Sequence, residues 1–157
     1  MAQFEHSTLL GSEAITSRFA AALGARLAAG DTVLLQGGIG AGKTHLARAL
    51  ILSRLALPED IPSPTFTLVQ TYHAKDETEL WHADLYRLTD PSELEELGLT
   101  DAFEDAICLI EWPDRLGSLR PADALTLTLE LTAQEGERTL HLSGPARWSF
   151  LKELDFT

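Results

Sequence analysis

The sequence predicts an α/β sandwich: a central, mostly parallel sheet flanked by helices, with an antiparallel hairpin near the C-terminus. Three observations predict it. Helix-periodic stretches alternate with short apolar runs through the first two thirds of the chain. The runs "TVLLQ" (32–36) and "AICLIEW" (106–112) are apolar without alternation, as strands covered on both faces are. "ALTLTLELTAQEGERTLHLSG" (124–144) alternates apolar and polar residues on both sides of a Gln-Glu-Gly turn, which is the pattern of a hairpin with one covered face.

The elements follow in order. Residues 12–28 read as a helix, with Ser12 as N-cap, Ile15, Phe19 and Leu23 at four-residue spacing, and Gly30 as a stop. "TVLLQ" is the first strand expected. Residues 43–56 form the next helix, closed by Pro58. "TFTLVQTYHA" (65–74) and "ELWHADLYRL" (79–88) read as strands flanking the polar turn Lys75-Asp76-Glu77. In "DPSELEELG", Asp90 is a cap, Pro91 the first helical residue and Gly98 a stop. "AICLIEW" is a buried strand ending in a carboxylate, and "ARWSFLKEL" (146–154) is a closing helix. The sheet is expected to be parallel at its centre and antiparallel at one edge. No repeat and no Gly/Ser-rich or Pro-rich linker divides the chain, so residues 1–157 read as one domain.

Composition narrows the function classes. The chain has 157 residues, 45% hydrophobic, which is enough for a real core. Its apolar runs are broken by Arg and Gly well short of a membrane span, and its start lacks a basic flank before an apolar stretch. Cys108 is the one cysteine, so neither an internal disulfide nor a cysteine cage is available. These features point to the cytoplasm and away from membranes. The formal net charge is −12, and such a surface repels phosphate backbones. Broad, unassisted binding to RNA or DNA is not expected.

The stretch "GGIGAGKT" carries the chemistry. Gly37, Gly42, Lys43 and Thr44 fill the pattern G-x-x-x-x-G-K-[ST], and they do so between a strand and a helix, the context that pattern requires. Glycines let the loop curl so that successive N–H groups point inward on an anion. The following helix adds its positive end. The whole loop, Gly37, Gly38, Ile39, Gly40, Ala41, Gly42, Lys43 and Thr44, is therefore read as the cradle of a nucleoside triphosphate. Lys43 places a compact charge near the β- and γ-phosphates, and the Thr44 hydroxyl is a ligand for Mg²⁺. The expected fold is of the P-loop NTPase type.

Such a site also needs an acid for Mg²⁺ and a group that orients the attacking nucleophile. In α/β sheets these groups sit at the carboxyl ends of strands. Glu111 ends "AICLI", where an acid capping a buried strand is rare, so it is read as the second Mg²⁺-linked residue, directly or through water. In "LWHADLYR", alternation puts His82, Asp84 and Tyr86 on one face and Trp81, Ala83 and Leu85 on the other. Asp84 could thus look into the cleft. His82 and Arg87 read as weaker candidates, and Trp112 and Trp148 as core or interface aromatics. Ser63-Pro64-Thr65 is a proline-stiffened loop, in the position where nucleotide switches approach the γ-phosphate.

Taken together, "GGIGAGKT", "SPTFTLV", "HADLYRL", "ELEELGL" and "AICLIEWPDRL" resemble, in order and spacing, the TsaE (YjeE-type) family of small bacterial P-loop ATPases. The resemblance spans roughly residues 31–116. It implies binding and hydrolysis of ATP with Mg²⁺, weak alone and stimulated by two partners, TsaB and TsaD. It implies a part in making N6-threonylcarbamoyladenosine at position 37 of tRNAs that read ANN codons, with TsaD transferring the threonylcarbamoyl group and the ATP cycle resetting the complex. Contact with tRNA would come only through that complex. The family's P-loop lysine and threonine match Lys43 and Thr44, its Mg²⁺-linked glutamate Glu111, and the aspartate of its H-x-D-x-Y-R block Asp84. Its switch-like block matches Ser63 to Phe66, with Thr65 as the polar contact to the γ-phosphate or its water. Where the family's loop usually reads GDLGAGKTT, this chain has Gly38, Ile39 and His45.

The catalytic set expected is therefore Lys43, Asp84, Glu111 and Thr65. Two rivals stand beside this reading. One is a small P-loop kinase acting on a metabolite, which needs an acceptor pocket and usually an arginine-bearing lid; the arginines here are scattered. The other is a switch that binds nucleotide without hydrolysing it.

Overall fold

Two central strands, β2 (Thr32–Gln36) and β5 (Ile107–Glu111), are covered on both faces, as their unbroken apolar runs require. Around them lie β1 (Gln3–Leu10), β3 (Val69–His73), β4 (Glu79–Asp84), β6 (Leu125–Leu131) and β7 (Arg138–Pro145). The seven form one sheet in the order β1-β7-β6-β2-β5-β4-β3. The structure, a computed structural model, describes residues 3–156; Met1, Ala2 and Thr157 of the expected 1–157 unit lie outside the described residues.

The four inner strands β6, β2, β5 and β4 run parallel. Antiparallel pairs stand at both edges rather than one: β3 on β4, and β7 with β1 beyond β6. The extra strand is β1, which the sequence reading did not include. Its covered face carries Phe4 and Leu10 at the ends but His6 and Thr8 between, so its period-two signal is weak.

Helices α1 (Glu13–Gly24) and α2 (Lys43–Arg54) cover one face. Phe19, Leu23, Leu46, Leu50 and Ile51 pack there on Val33, Leu35, Leu109 and Leu127. Burying each such side chain stabilises the fold by about 1.5–3 kcal/mol, which pins the start of α2 over the sheet's carboxyl edge. The short helices α3 (Ser92–Glu96) and α4 (Leu99–Asp105) cover the other face with Leu94 and Leu99 against Leu34, Cys108 and Ile110.

Boundaries differ from the sequence reading for local reasons. Ser12 caps α1 through its hydroxyl, which accepts from Ile15 N at 3.2 Å, and the helix ends at Gly24 rather than residue 28. α2 stops at Arg54 because Leu55 is already extended. The strand expected from residue 65 begins at Val69, since Leu68 turns through a φ of 68° and donates its N–H back to Pro64 O at 2.7 Å. The strand expected to reach 88 ends at Asp84, whose carboxylate takes the N–H of Tyr86. Gly98 does end one helix, but its left-handed backbone (φ 82°) also starts α4. Residues Ala146–Glu153 close the chain as a 3-10 helix, with Trp148 buried and its indole N–H on Asp123 O at 2.8 Å.

Candidate functional site

The loop between β2 and α2 leaves the sheet where β4 and β5 also end. Leu35 is the register partner of Glu111, and Glu111 that of Asp84. Three adjacent parallel strands thus deliver the loop and two carboxylates to one rim.

Gly37, Gly40 and Gly42 have φ values of 146°, 81° and 104°, a region that disfavours side chains. At Gly37 a Cβ would also stand 2.6 Å from Leu129 O, so β6 itself demands glycine there. Gly38 has an ordinary backbone and open space, so nothing structural requires glycine where the resembled family carries Asp. Gly42 forms the left-handed entry to α2, and Lys43 and Thr44 are the first two residues of that helix.

Lys43 is 5% exposed. Its ammonium donates to the carbonyl oxygens of Gly37 and Gly38 and stands 3.6 Å over the Trp112 ring. Burial pulls its pKa below the usual lysine value, opposed by the charges of Glu111, Asp84 and Asp114. A cation held there by neutral carbonyls and a ring face is one that an anion can recruit.

Thr44 Oγ1 donates to both oxygens of Glu111, at 2.8 and 3.0 Å. Glu111 Oε2 also accepts from Nε2 of His82 at 2.7 Å. Asp84 Oδ2 accepts from Thr65 Oγ1 at 3.1 Å, and Thr65 in turn meets Ser63 Oγ at 2.8 Å. All four residues expected to be catalytic therefore meet at one cavity of about 310 Å³, together with Thr44 and Trp112. Hydroxyl and carboxylate oxygens are hard donors that suit Mg²⁺, a cation usually held by one or two protein oxygens plus phosphates and water. Among the described residues no group of three or more acids, histidines or cysteines is placed to hold a metal ion. The residues present thus fit a triphosphate and its metal.

Three residues gain importance that the sequence did not assign. Trp112, read as a core or interface aromatic, lines the cavity and adopts a left-handed backbone (φ 59°, ψ 55°). Such strain costs on the order of 1–3 kcal/mol and gathers at functional sites. Its ring lies 4.9 Å from that of Tyr86, also in the lining. His82, read as a weak candidate, is fully buried against Glu111. The signal for it was its place on the Asp84 face of β4.

Of the other candidates, Arg87 lies outside the cavity lining, whereas His45 stands at its edge beside Thr44. Arg87 stacks over Phe66 at 4.6 Å. His45 meets Ser17 Oγ at 3.2 Å, beside a hollow of about 30 Å³ that Glu13, Thr16 and Arg138 share. Arg138 donates Nε–H to Ala41 O at 2.7 Å, so the first residue of β7 grips the loop backbone.

Comparison with known proteins gives a consistent picture. The family model described as "Threonylcarbamoyl adenosine biosynthesis protein TsaE" matches residues 10–140. A Rickettsia bellii protein named "tRNA threonylcarbamoyladenosine biosynthesis protein TsaE" is 40% identical over 131 residues, which are 83% of this chain and 90% of that one. A Treponema pallidum protein of the same name is 36% identical over 80% of this chain and 90% of its own. The crystal structure of a Bacillus YdiB superposes with a TM-score of 0.78 over 98% of this chain and 95% of that one, at 23% identity, which supports the fold.

Proposed function

The chain belongs to the TsaE family, and on that premise we propose that it is an ATPase of tRNA threonylcarbamoyladenosine formation, working with TsaB and TsaD. Its relatives carry the name of that pathway, and a nucleotide-binding role follows from the family. The observation that carries the finer reading is the Thr44–Glu111 pair beside Lys43, at the mouth of a glycine loop.

The triphosphate of ATP sits on the amides of residues 37–44, at the positive end of α2. Lys43 leaves the Gly37 and Gly38 carbonyls for the β/γ oxygens. Thr44 and Glu111 would hold Mg²⁺, which would supply positive charge to offset that of the phosphates. The Thr44 hydroxyl keeps its proton on Glu111, so its lone pairs are free for the cation. Asp84, fixed by Thr65 and the Tyr86 N–H, accepts from the water that attacks the γ-phosphate, and Thr65 holds that water's place.

The described cavity lining contains no arginine. Charge developing in phosphoryl transfer is thus countered by Lys43 alone among the long cationic side chains, which supports low activity until a partner orders or completes the site. The net charge of −12 supports contact with tRNA only through TsaB and TsaD. Among the described residues no helix is long and apolar enough to cross a membrane, and the proposed workplace is the cytoplasm.

Phosphate release, measured with and without purified TsaB–TsaD, tests the reading. Slow release alone and a marked rise with the pair are expected. Phosphate appearing on an added metabolite instead of in water would move the chain to the kinases. Equal release with and without the pair would remove the partner claim.

A further inference from the structure

His82 is fully buried on β4, on the α2 side of the sheet. Its Nδ1 has no hydrogen-bond partner among the described residues. An unpaired polar atom in the interior costs about 1–3 kcal/mol, a cost that a leucine at the same place avoids. Core filling therefore does not account for an imidazole here. Its other end does make a contact: Nε2 lies 2.7 Å from Glu111 Oε2. Both Glu111 oxygens already accept from Thr44, so the carboxylate is the acceptor and Nε2 carries the hydrogen.

We propose that His82 is a positioning residue: it holds the Glu111 carboxylate in the one orientation that meets the Thr44 hydroxyl, and so shapes the Mg²⁺ seat without touching substrate. This rests on the Mg²⁺·ATP reading of the site. Three elements each supply one member of the chain: Thr44 from α2, Glu111 from the end of β5, His82 from β4. Glu111 is only 2% exposed, so water does not replace a lost donor easily. Without Nε2–H, a buried carboxylate with one remaining hydroxyl partner is free to turn away from Thr44. Outer partners of metal-holding groups are typically worth about 10–100-fold in metal affinity or activity.

The test compares His82→Leu, which removes the donor, with His82→Gln, whose amide N–H can reach in place of Nε2. Nucleotide binding is titrated calorimetrically against Mg²⁺ and again in chelator, alongside phosphate release. Expected for His82→Leu is a rise of about ten-fold or more in the Mg²⁺ needed for half-maximal binding, with affinity in chelator unchanged. His82→Gln should stay within about three-fold of the parent, well below that loss. A leucine variant with the parent's Mg²⁺ profile overturns the proposal, and so do leucine and glutamine variants that shift it equally. Should the leucine variant not fold, ¹⁵N-histidine NMR of the parent decides. An Nε2–H form of His82 whose proton shift moves with Mg²⁺·ADP but not with ADP alone supports it; an Nδ1–H form overturns it. If the parent itself shows no Mg²⁺-dependent nucleotide binding, the ATPase reading falls instead, and the two failures are distinct.

Discussion

Thr44 at the start of α2 and Glu111 at the end of β5 are joined by one hydroxyl that donates to both oxygens of one carboxylate. Neither residue can be moved without moving an element of the core, since the helix packs through Leu46 and Leu50 and the strand is buried throughout. Thr44→Val keeps the shape and removes the oxygen. Phosphate release should fall by about 10²–10³, the usual effect of deleting one preorganised electrostatic group. Thr44→Ser should restore most of it. Full activity in the valine variant would separate this hydroxyl from the metal.

Asp84 is predicted to act on the water rather than on binding. Asp84→Asn preserves acceptance from Tyr86 N–H at one oxygen but weakens the capacity to take a proton. Turnover should drop by about 10²–10⁴ while nucleotide affinity stays near that of the parent. Thr65→Val should act in the same direction and more weakly, because it removes the hydroxyl that orients Asp84. A tenfold loss of affinity in Asp84→Asn with unchanged turnover of bound ATP contradicts the assignment.

Two neighbouring glycines should behave differently. Gly37→Ala forces a methyl to 2.6 Å from a backbone oxygen of β6, at a φ of 146°. It should lose nucleotide binding and cost on the order of 1–3 kcal/mol in stability. Gly38→Asp places its side chain in open space and should fold with an unchanged melting temperature. Thermal melts and nucleotide titrations of the two variants check the contrast.

Cys108 supplies a pH test. Burial pushes its thiol from 9.0 up to about 12. The unfolded chain then releases that proton at a lower pH than the folded one. Folded-state preference conferred by the thiol is complete below pH 9.0 and is lost as pH rises toward about 12. The slope is at most about 1.4 kcal/mol per pH unit, and Cys108→Ala should flatten this part of the profile. Native protein at pH 8 should not react with a thiol reagent until it is unfolded. Rapid labelling of folded protein would show the strand to be open.

Much of this was legible in the chain because the signals are local. The loop is a contiguous pattern between a strand and a helix, so Lys43 and Thr44 could be placed from spacing alone. Glu111 was visible as an acid closing an apolar run. Asp84 was ambiguous, because strand alternation gives a face but not what the face meets; β5 and the Thr65 turn decide that. β1 was hidden by the polar residues on its inner face, and α4 by the shortness of its periodic stretch. Trp112 could not be read as a cavity residue, since its direction follows from a left-handed backbone that nothing beside it announces. His82 depends on a partner in a strand distant in sequence.

The guanidinium of Arg138 on Ala41 O carries a wider consequence. That bond ties the proposed phosphate cradle to β7, which pairs with the outermost strand β1. A protein bound at that remote border, or a tag spliced into the turn at Gly136, would be connected to the cradle through β7. Control of hydrolysis could thus be exerted through the rim of the sheet farthest from the acids, with the entrance to the cavity left clear.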